Sequence, residues 1–320
     1  DHARVIAACR PGPPDRISPG ITAKGPAMKR RNFLASVGAA GAASLTTGPA
    51  AASGANTLPA AAPLSIGAVG LRVQEAETLA RWYETTLGLE RIASTADSIH
   101  LGAGGRAFLE LTETAGLHRA RPSAAGLYHT AFLLPARADL AAWVRHAVDS
   151  RVPVDGASDH VVSEAIYLTD PEGNGVEIYA DRPQGGWEWA NGEVRMGGGP
   201  IDFENLMTLA PAFSLPGYTA PAATQIGHVH LQVGQAEEAA RWWIETFAFD
   251  TVRAGRDAVF LSTGGYHHHI AVNHWNSRGA APMQTAQTGL AHVTLRAGPG
   301  AGRVPPRATD AWGIEVRVEA

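Results

Sequence analysis

Between Ile226 and Trp275 the chain carries six of its thirteen histidines. His228 and His230 lie in IGHVHLQV, and His267, His268, His269 and His274 lie in GGYHHHIAVNHW, on either side of the amphipathic stretch AEEAARWWIETF. Imidazole is the commonest metal ligand and titrates near neutrality, so such a gathering suits metal binding or proton transfer. His228 and His230 are two apart on an alternating segment, which places both on one strand face. If His267–His269 is also strand, neighbours alternate and the three cannot all face one site.

The elements that position these groups follow from periodicity. Ile66, Ala68, Gly70 and Arg72 alternate with Gly67, Val69, Leu71 and Val73, and Ala76, Leu79, Ala80, Tyr83 and Leu87 then follow helical spacing. Short strands are expected around 90–93, 98–101 and 107–111, set off by glycine and polar turn residues. A second unit repeats the order: an expected strand over 127–134, a helix over 138–150, and strands near 152–154, 164–168 and 175–179. The last two are joined by the turn-forming run Asp170-Pro171-Glu172-Gly173-Asn174-Gly175. Each unit reads β-α-β-β-β, and the fold class is α+β.

The pattern recurs. IGAVGLRV at 66–73 matches IGHVHLQV at 226–233, an offset of 160 residues, and the same offset superposes Arg81-Trp82-Tyr83 on Arg241-Trp242-Trp243 and Gly104-Gly105 on Gly264-Gly265. Two domains are expected, 64–181 and 226–320, with a Gly/Pro/Ala-rich connector at 182–225 whose Trp187 and Trp189 anchor it. In the second copy, residues 297–309 (AGPGAGRVPPRAT) replace a helix and two strands, so the last module is truncated. The edge this exposes must be solvated or covered, for instance by a second copy of the chain in a homo-oligomer.

With 320 residues and 45% apolar composition the chain can bury two cores. Its net charge of −4 gives no basic field, which argues against nucleic acid and for a small-molecule partner. The single cysteine, Cys9, excludes a disulfide framework and a thiolate site in the body of the protein. From Met28 the chain runs basic, weakly apolar and then small-residue-rich, with Arg30-Arg31-Asn32-Phe33-Leu34 resembling a twin-arginine export signal over 28–55. Residues 1–27 are then expected to be an upstream, non-native leader. The expectation is an exported protein, periplasmic or extracellular, or a cytoplasmic one if the leader is no signal. No later segment reaches the ~20 consecutive apolar residues of a membrane span.

The paired β-α-β-β-β modules, together with GLYHTAFLLP, DPEGNGVEIY and GGYHHH, resemble the vicinal oxygen chelate superfamily (glyoxalase, bleomycin resistance and dioxygenase proteins), and within it the two-domain catechol 2,3-dioxygenase type, over about residues 64–320. The resemblance implies half-barrel metal cups and a facial triad of two imidazoles and a carboxylate with open positions, as in non-haem Fe(II) oxygenases. Carried onto this chain, it implies His228, His292 and Glu315 as ligands and His268 as the acid/base beside them. The cofactor implied is Fe(II), with Mn(II) or another divalent metal as the alternative. The substrates implied are a small aromatic diol and O2, in extradiol ring cleavage.

At the 160 offset Ala68 stands where His228 is and Phe108 where His268 is, so the first domain is expected to hold a vestigial site at His129 and Glu177, with His160 or Glu164 as a replacement ligand. A proton-donating tyrosine of the family has its counterpart near Tyr167. His129 to Glu177 spans 48 residues, while His292 to Glu315 spans only 23, which is where the truncation falls. Two other readings are a glyoxalase-like lyase or isomerase working at a divalent metal without O2, and a non-catalytic exported protein that binds ligands in its cup.

Overall fold

In a computed structural model of the chain, Pro59, residues 61–212 and residues 217–320 are described. Cys9 and the expected signal at 28–55 lie outside the described residues. The first module comprises β1 (Leu64–Val73), α1 (Ala76–Leu87), β2 (Glu90–Ser94), β3 (Ser98–Ala103) and β4 (Arg106–Glu113). The second comprises β5 (Gly126–Leu133), α2 (Arg137–Asp149), β6 (Gly156–Asp159), β7 (Ser163–Thr169) and β8 (Gly175–Asp181). Residues 152–154, expected as strand, are not; the strand forms slightly later, as β6.

The connector contains a small hairpin, β9 (Trp189–Ala190) with β10 (Glu193–Val194), and the short helix α3 (Phe203–Met207). The third module is β11 (Gln225–Gln232), α4 (Ala236–Phe247), β12 (Asp250–Ala254), β13 (Ala258–Ser262) and β14 (Ile270–Asn273). The fourth is reduced to β15 (Gly289–Ala297), β16 (Arg307–Thr309) and β17 (Glu315–Glu319). Its helix is absent, as the shortened spacing predicts, but only one of the two strands expected to be missing is lost, because β16 lies within 297–309.

The modules do not pair in chain order. One sheet runs β16-β17-β15-β1-β4-β3-β2 and the other β12-β13-β14-β11-β5-β8-β7-β6. The first module thus shares a sheet with the fourth through antiparallel β1–β15, and the second shares one with the third through antiparallel β5–β11. The boundaries 64–181 and 226–320 therefore describe the repeat along the chain, while each curled half-barrel draws on both halves. We call the first sheet the outer-module cup and the second the inner-module cup.

The helices cover the sheets with the faces their periodicity marks. Leu79, Ala80, Tyr83 and Leu87 of α1 are buried, as are Ala239, Ala240, Trp243 and Phe247 of α4. Trp143 of α2 is fully buried and donates its Nε1–H to the Thr86 carbonyl at 2.9 Å, which ties the second module to the end of α1. The apolar core is continuous across both sheets. At the truncated end the sheet finishes on the three-residue β16, directly after Pro305-Pro306. A short edge preceded by prolines offers few free N–H groups to another strand. Among the described residues no helix is long and apolar enough to cross a membrane.

Candidate metal centre

Three adjacent strands of the inner-module cup place one residue each in a row: His228 on β11 opposite Ala131 on β5, and Ala131 opposite Glu177 on β8. His129, two before Ala131, projects from the same face of β5. The small Ala131 leaves the middle of the row open, so the three polar side chains converge above it. Glu177 Oε2 lies 3.1 Å from His129 Nε2 and 3.4 Å from His228 Nε2, and one ligand atom from each residue lies within 4.8 Å of the others. All three side chains are buried.

This set departs from the expected one. His228 keeps its place, but His292 and Glu315 sit on β15 and β17 of the other sheet, because the fourth module pairs with the first. The supposed vestige, His129 and Glu177, supplies the other two members instead. His160 is no replacement ligand: its Nδ1 donates to the Gly197 carbonyl at 2.7 Å, and its Nε2 then accepts from the Tyr167 hydroxyl at 2.6 Å. Glu164 is ion-paired with Arg137 and with Arg182.

Glu315 fails as the second-copy counterpart of Glu177 for a reason of register. Asp170 accepts hydrogen bonds from the backbone N–H groups of Glu172 and Asn174, and Asp310 accepts from those of Trp312 and Ile314. Aligning the two turns on these bonds puts Glu315 at the level of Gly175 and Arg317 at the level of Glu177. The strand ladders agree, since Thr294 faces Arg317 where Ala131 faces Glu177.

The donor set fits a metal ion. His129 Nε2 is buried without a hydrogen bond although it lies 3.1 Å from the Glu177 carboxylate, and His228 Nδ1 is buried and unpaired as well. An imidazole nitrogen that close to a carboxylate but out of line with it aims at a third point. Two imidazoles and one carboxylate on one side of that point leave its other side free. Burial, opposed by Glu177, brings His228 down to about 4, which leaves its ring neutral and able to ligate near neutral pH. Burial pushes the Glu177 carboxyl up, but His228 and His129 outweigh it and hold the group well below the ordinary range.

Rings surround this row. His268 stands with its centroid 4.0 Å from that of His228, and its pKa is driven well down by burial and the neighbouring imidazoles. His230 is packed among Tyr128, His129, Trp275 and Phe260. The Tyr179 ring is 4.9 Å from His228, and its hydroxyl meets that of Tyr266 at 2.7 Å. Gly227 is required here, because a Cβ on it would fall 1.7 Å from the Tyr179 hydroxyl. The Tyr167 ring lies 5.8 Å from His129.

The histidine triplet is not a strand. β13 ends at Ser262, the chain turns through Gly264 and Gly265 at φ 64° and 76°, and β14 begins only at Ile270. In that turn His267 and His268 touch through their Nδ1 atoms at 2.8 Å, a contact that alternation would forbid. His267 reaches Asp181 through Nε2 at 2.9 Å, and His269 turns away to Ser262. Sequence reasoning missed Asp181, the last residue of β8, and missed the freedom that Gly264-Gly265 gives the triplet. Trp187 does anchor the connector, by donating Nε1–H to the Arg182 carbonyl and packing 5.1 Å from His267, whereas Trp189 is 41% exposed and anchors nothing.

Residues 65–178 match the model of the Glyoxalase/Bleomycin resistance protein/Dioxygenase superfamily. The chain is 37% identical over 235 residues to the catechol-2,3-dioxygenase of Bacillus subtilis (strain 168), a match covering 72% of this chain and 81% of that protein. Among solved structures, a provisionally named dioxygenase from Bacillus subtilis subsp. subtilis superposes with a TM-score of 0.54 at 14% identity, over 79% of this chain and 84% of that one. Glyoxalase I from Zea mays superposes with a TM-score of 0.46 at 13% identity, over 80% and 92% of the two chains.

Proposed function

The chain belongs to the Glyoxalase/Bleomycin resistance protein/Dioxygenase superfamily, and from that premise we propose that it is an Fe(II)-dependent extradiol dioxygenase that opens the ring of a catechol-type aromatic diol with O2. The observation that carries the reading is the convergence of His129, Glu177 and His228 beside an imidazole, His268, that is not itself in the row. The relative's activity supports the same class.

In this reading His129, Glu177 and His228 hold the metal. Fe(II) held there would supply a Lewis-acidic centre able to bring the diol and O2 together. His268, at van der Waals distance from His228, takes a proton from a diol hydroxyl. Tyr167, whose hydroxyl is directed onto His160, offers a proton-bearing group on the His129 side. Tyr128, Trp275 and Phe260 wall the cup with apolar ring surface that suits a planar aromatic substrate and keeps water out. A three-member donor set favours this over a glyoxalase-like site, which adds a carboxylate from the strand that is β14 here; β14 reads IAVN and has none.

The test is O2 uptake by Fe(II)-loaded protein with catechol and substituted catechols. Stoichiometric O2 consumption with a coloured ring-fission product is expected. Absence of uptake across the panel with one equivalent of Fe(II) bound, or turnover of a hemithioacetal under anaerobic conditions, would overturn it.

A further inference from the structure

Beyond the ligands and His268, the cup contains a buried line of polar groups to which the proposed reaction assigns no part. Asp181 Oδ1 lies 2.9 Å from His267 Nε2, and His267 Nδ1 lies 2.8 Å from His268 Nδ1. The Asp181 side chain is 1% exposed and that of His267 is 0% exposed, so no bulk water competes for these bonds. Tyr266 and Trp187 pack on the His267 ring, with centroids 4.1 Å and 5.1 Å away, and hold it in this orientation.

The hydrogens in this line follow from the donor and acceptor inventory. An aspartate carboxylate only accepts, so the hydrogen between Asp181 and His267 belongs to His267 Nε2. When His267 carries its one N–H on Nε2, its Nδ1 is bare and accepts. The hydrogen between the two rings therefore belongs to His268 Nδ1, and the remaining nitrogen of His268, Nε2, keeps its lone pair. A partner that fixes one ring nitrogen in this way decides what the other can do.

We propose that Asp181 and His267 are positioning residues that lock His268 into the tautomer with hydrogen on Nδ1, so that Nε2 is the atom that takes the proton from the hydroxyl of the aromatic diol. The inference rests on the dioxygenase reading for its substrate, but not for the tautomer itself. The transferred proton leaves the diol as an oxyanion and His268 as an imidazolium. The Nδ1–H of that imidazolium stays bonded to His267, and nothing passes further along the line. Hydrogen and charge balance within the pair.

The first experiment needs no activity: nitrogen NMR of the metal-free, full-length protein with 15N-labelled histidine. His268 should show a pyrrole-type Nδ1 and a pyridine-type Nε2. In Asp181→Asn the side-chain amide can donate as well as accept, so the line can run in reverse and an Nε2–H population of His268 should appear. His267→Phe keeps a ring in the pocket but cuts the line, and should give the same mixture. A wild-type His268 protonated on Nε2, or a tautomer unchanged in both variants, overturns the lock.

The second experiment uses the Fe(II)-loaded protein. Asp181→Asn should lower kcat about 10- to 100-fold with KM and bound iron unchanged, and should add nothing in a His268→Gln background. Additive losses, or a fall in bound iron that accounts for the lost rate, overturn the positioning role. If the wild-type protein takes up no O2 at all, the dioxygenase reading fails, while the NMR result still decides the lock.

Discussion

The two cups of this molecule are built from the same module on the same frame, and they carry different charged groups at equivalent positions. In the inner-module cup the row reads His228, Ala131, Glu177, with His129 beside it: two imidazoles and a carboxylate, with no arginine or lysine in the row. In the outer-module cup the same row reads Ala68, Thr294, Arg317, with His292 beside it. There the Arg317 guanidinium lies 2.6 Å from Glu315 and 3.3 Å from His292 Nε2, and it lowers the His292 pKa after burial has done so. A fixed side-chain cation thus stands where the other cup has the carboxylate, and a divalent ion would meet repulsion there instead of a ligand. Gly70 completes the contrast. It occupies the position of His230, and a Cβ on it would come within 2.2 Å of the His292 ring.

The sharpest break of this comparison is to remove the two glutamates in turn. Glu177→Ala deletes one of the three proposed ligands and should weaken divalent-metal retention about 100-fold or more. Glu315→Ala removes only the half-exposed partner of Arg317 and should leave bound metal within about twofold of wild type, since exposed ion pairs are worth little. Metal per chain after gel filtration measures both. Equal losses in the two variants would mean that the cups are not distinct in the way the register indicates.

That register was in part legible. The order of strands and helices followed from periodicity, because a half-buried strand and an amphipathic helix impose different spacings on the apolar residues. The turn at Asp170–Gly175 was legible from its residues, and the same turn chemistry at Asp310 carried the signal that Arg317, not Glu315, matches Glu177. What local pattern does not encode is which modules share a sheet. β1 and β11 are near-identical in sequence pattern, and each presents an edge that β5 or β15 could take, so the choice falls to tertiary packing. His228 was therefore found and assigned to the wrong partners. The contact between His267 and His268 was hidden because it depends on a turn rather than on the strand that their neighbours suggest.

Acid should also separate the two cups. At the 160 offset His269 replaces Leu109, and its ring, buried against Ser262, is brought down to about 3 chiefly by burial. The folded pKa is lowered, so the neutral ring's contribution is fully present above the unfolded value of about 6.5 and is lost as pH falls toward about 3. Between pH 6.5 and pH 5 this single histidine should cost the metal-free protein about 2 kcal/mol, at roughly 1.4 kcal/mol per unit. His269→Leu, which copies the outer-module residue, should remove about that much of the acid loss. Urea midpoints at the two pH values read the difference, and the slope matters rather than the absolute stability. An unchanged slope would show that His269 is protonated or solvated in the folded state.

The last test, which includes the smallest expected effect, lies where the equivalent helices end. Both α1 and α4 close with a residue in the left-handed region: Gly88 at φ 68° and, 160 residues on, Ala248 at φ 55°. A side chain there crowds the following carbonyl, at a cost of about 1–2 kcal/mol, and glycine avoids it. At Gly88 the choice is also steric, since a Cβ would lie 2.7 Å from the Ala220 backbone nitrogen, contributed by the returning connector. Gly88→Ala therefore combines backbone strain with a backbone clash and should destabilise by about 2–3 kcal/mol. Ala248→Gly should stabilise by about 1 kcal/mol once the greater chain entropy of glycine in the unfolded state is set against the relief. Thermal or urea unfolding of the two single variants tests the pair. If Ala248→Gly destabilises, the left-handed end of α4 is held by contacts that outweigh its backbone strain, and the two helix ends are equivalent in shape but not in cause.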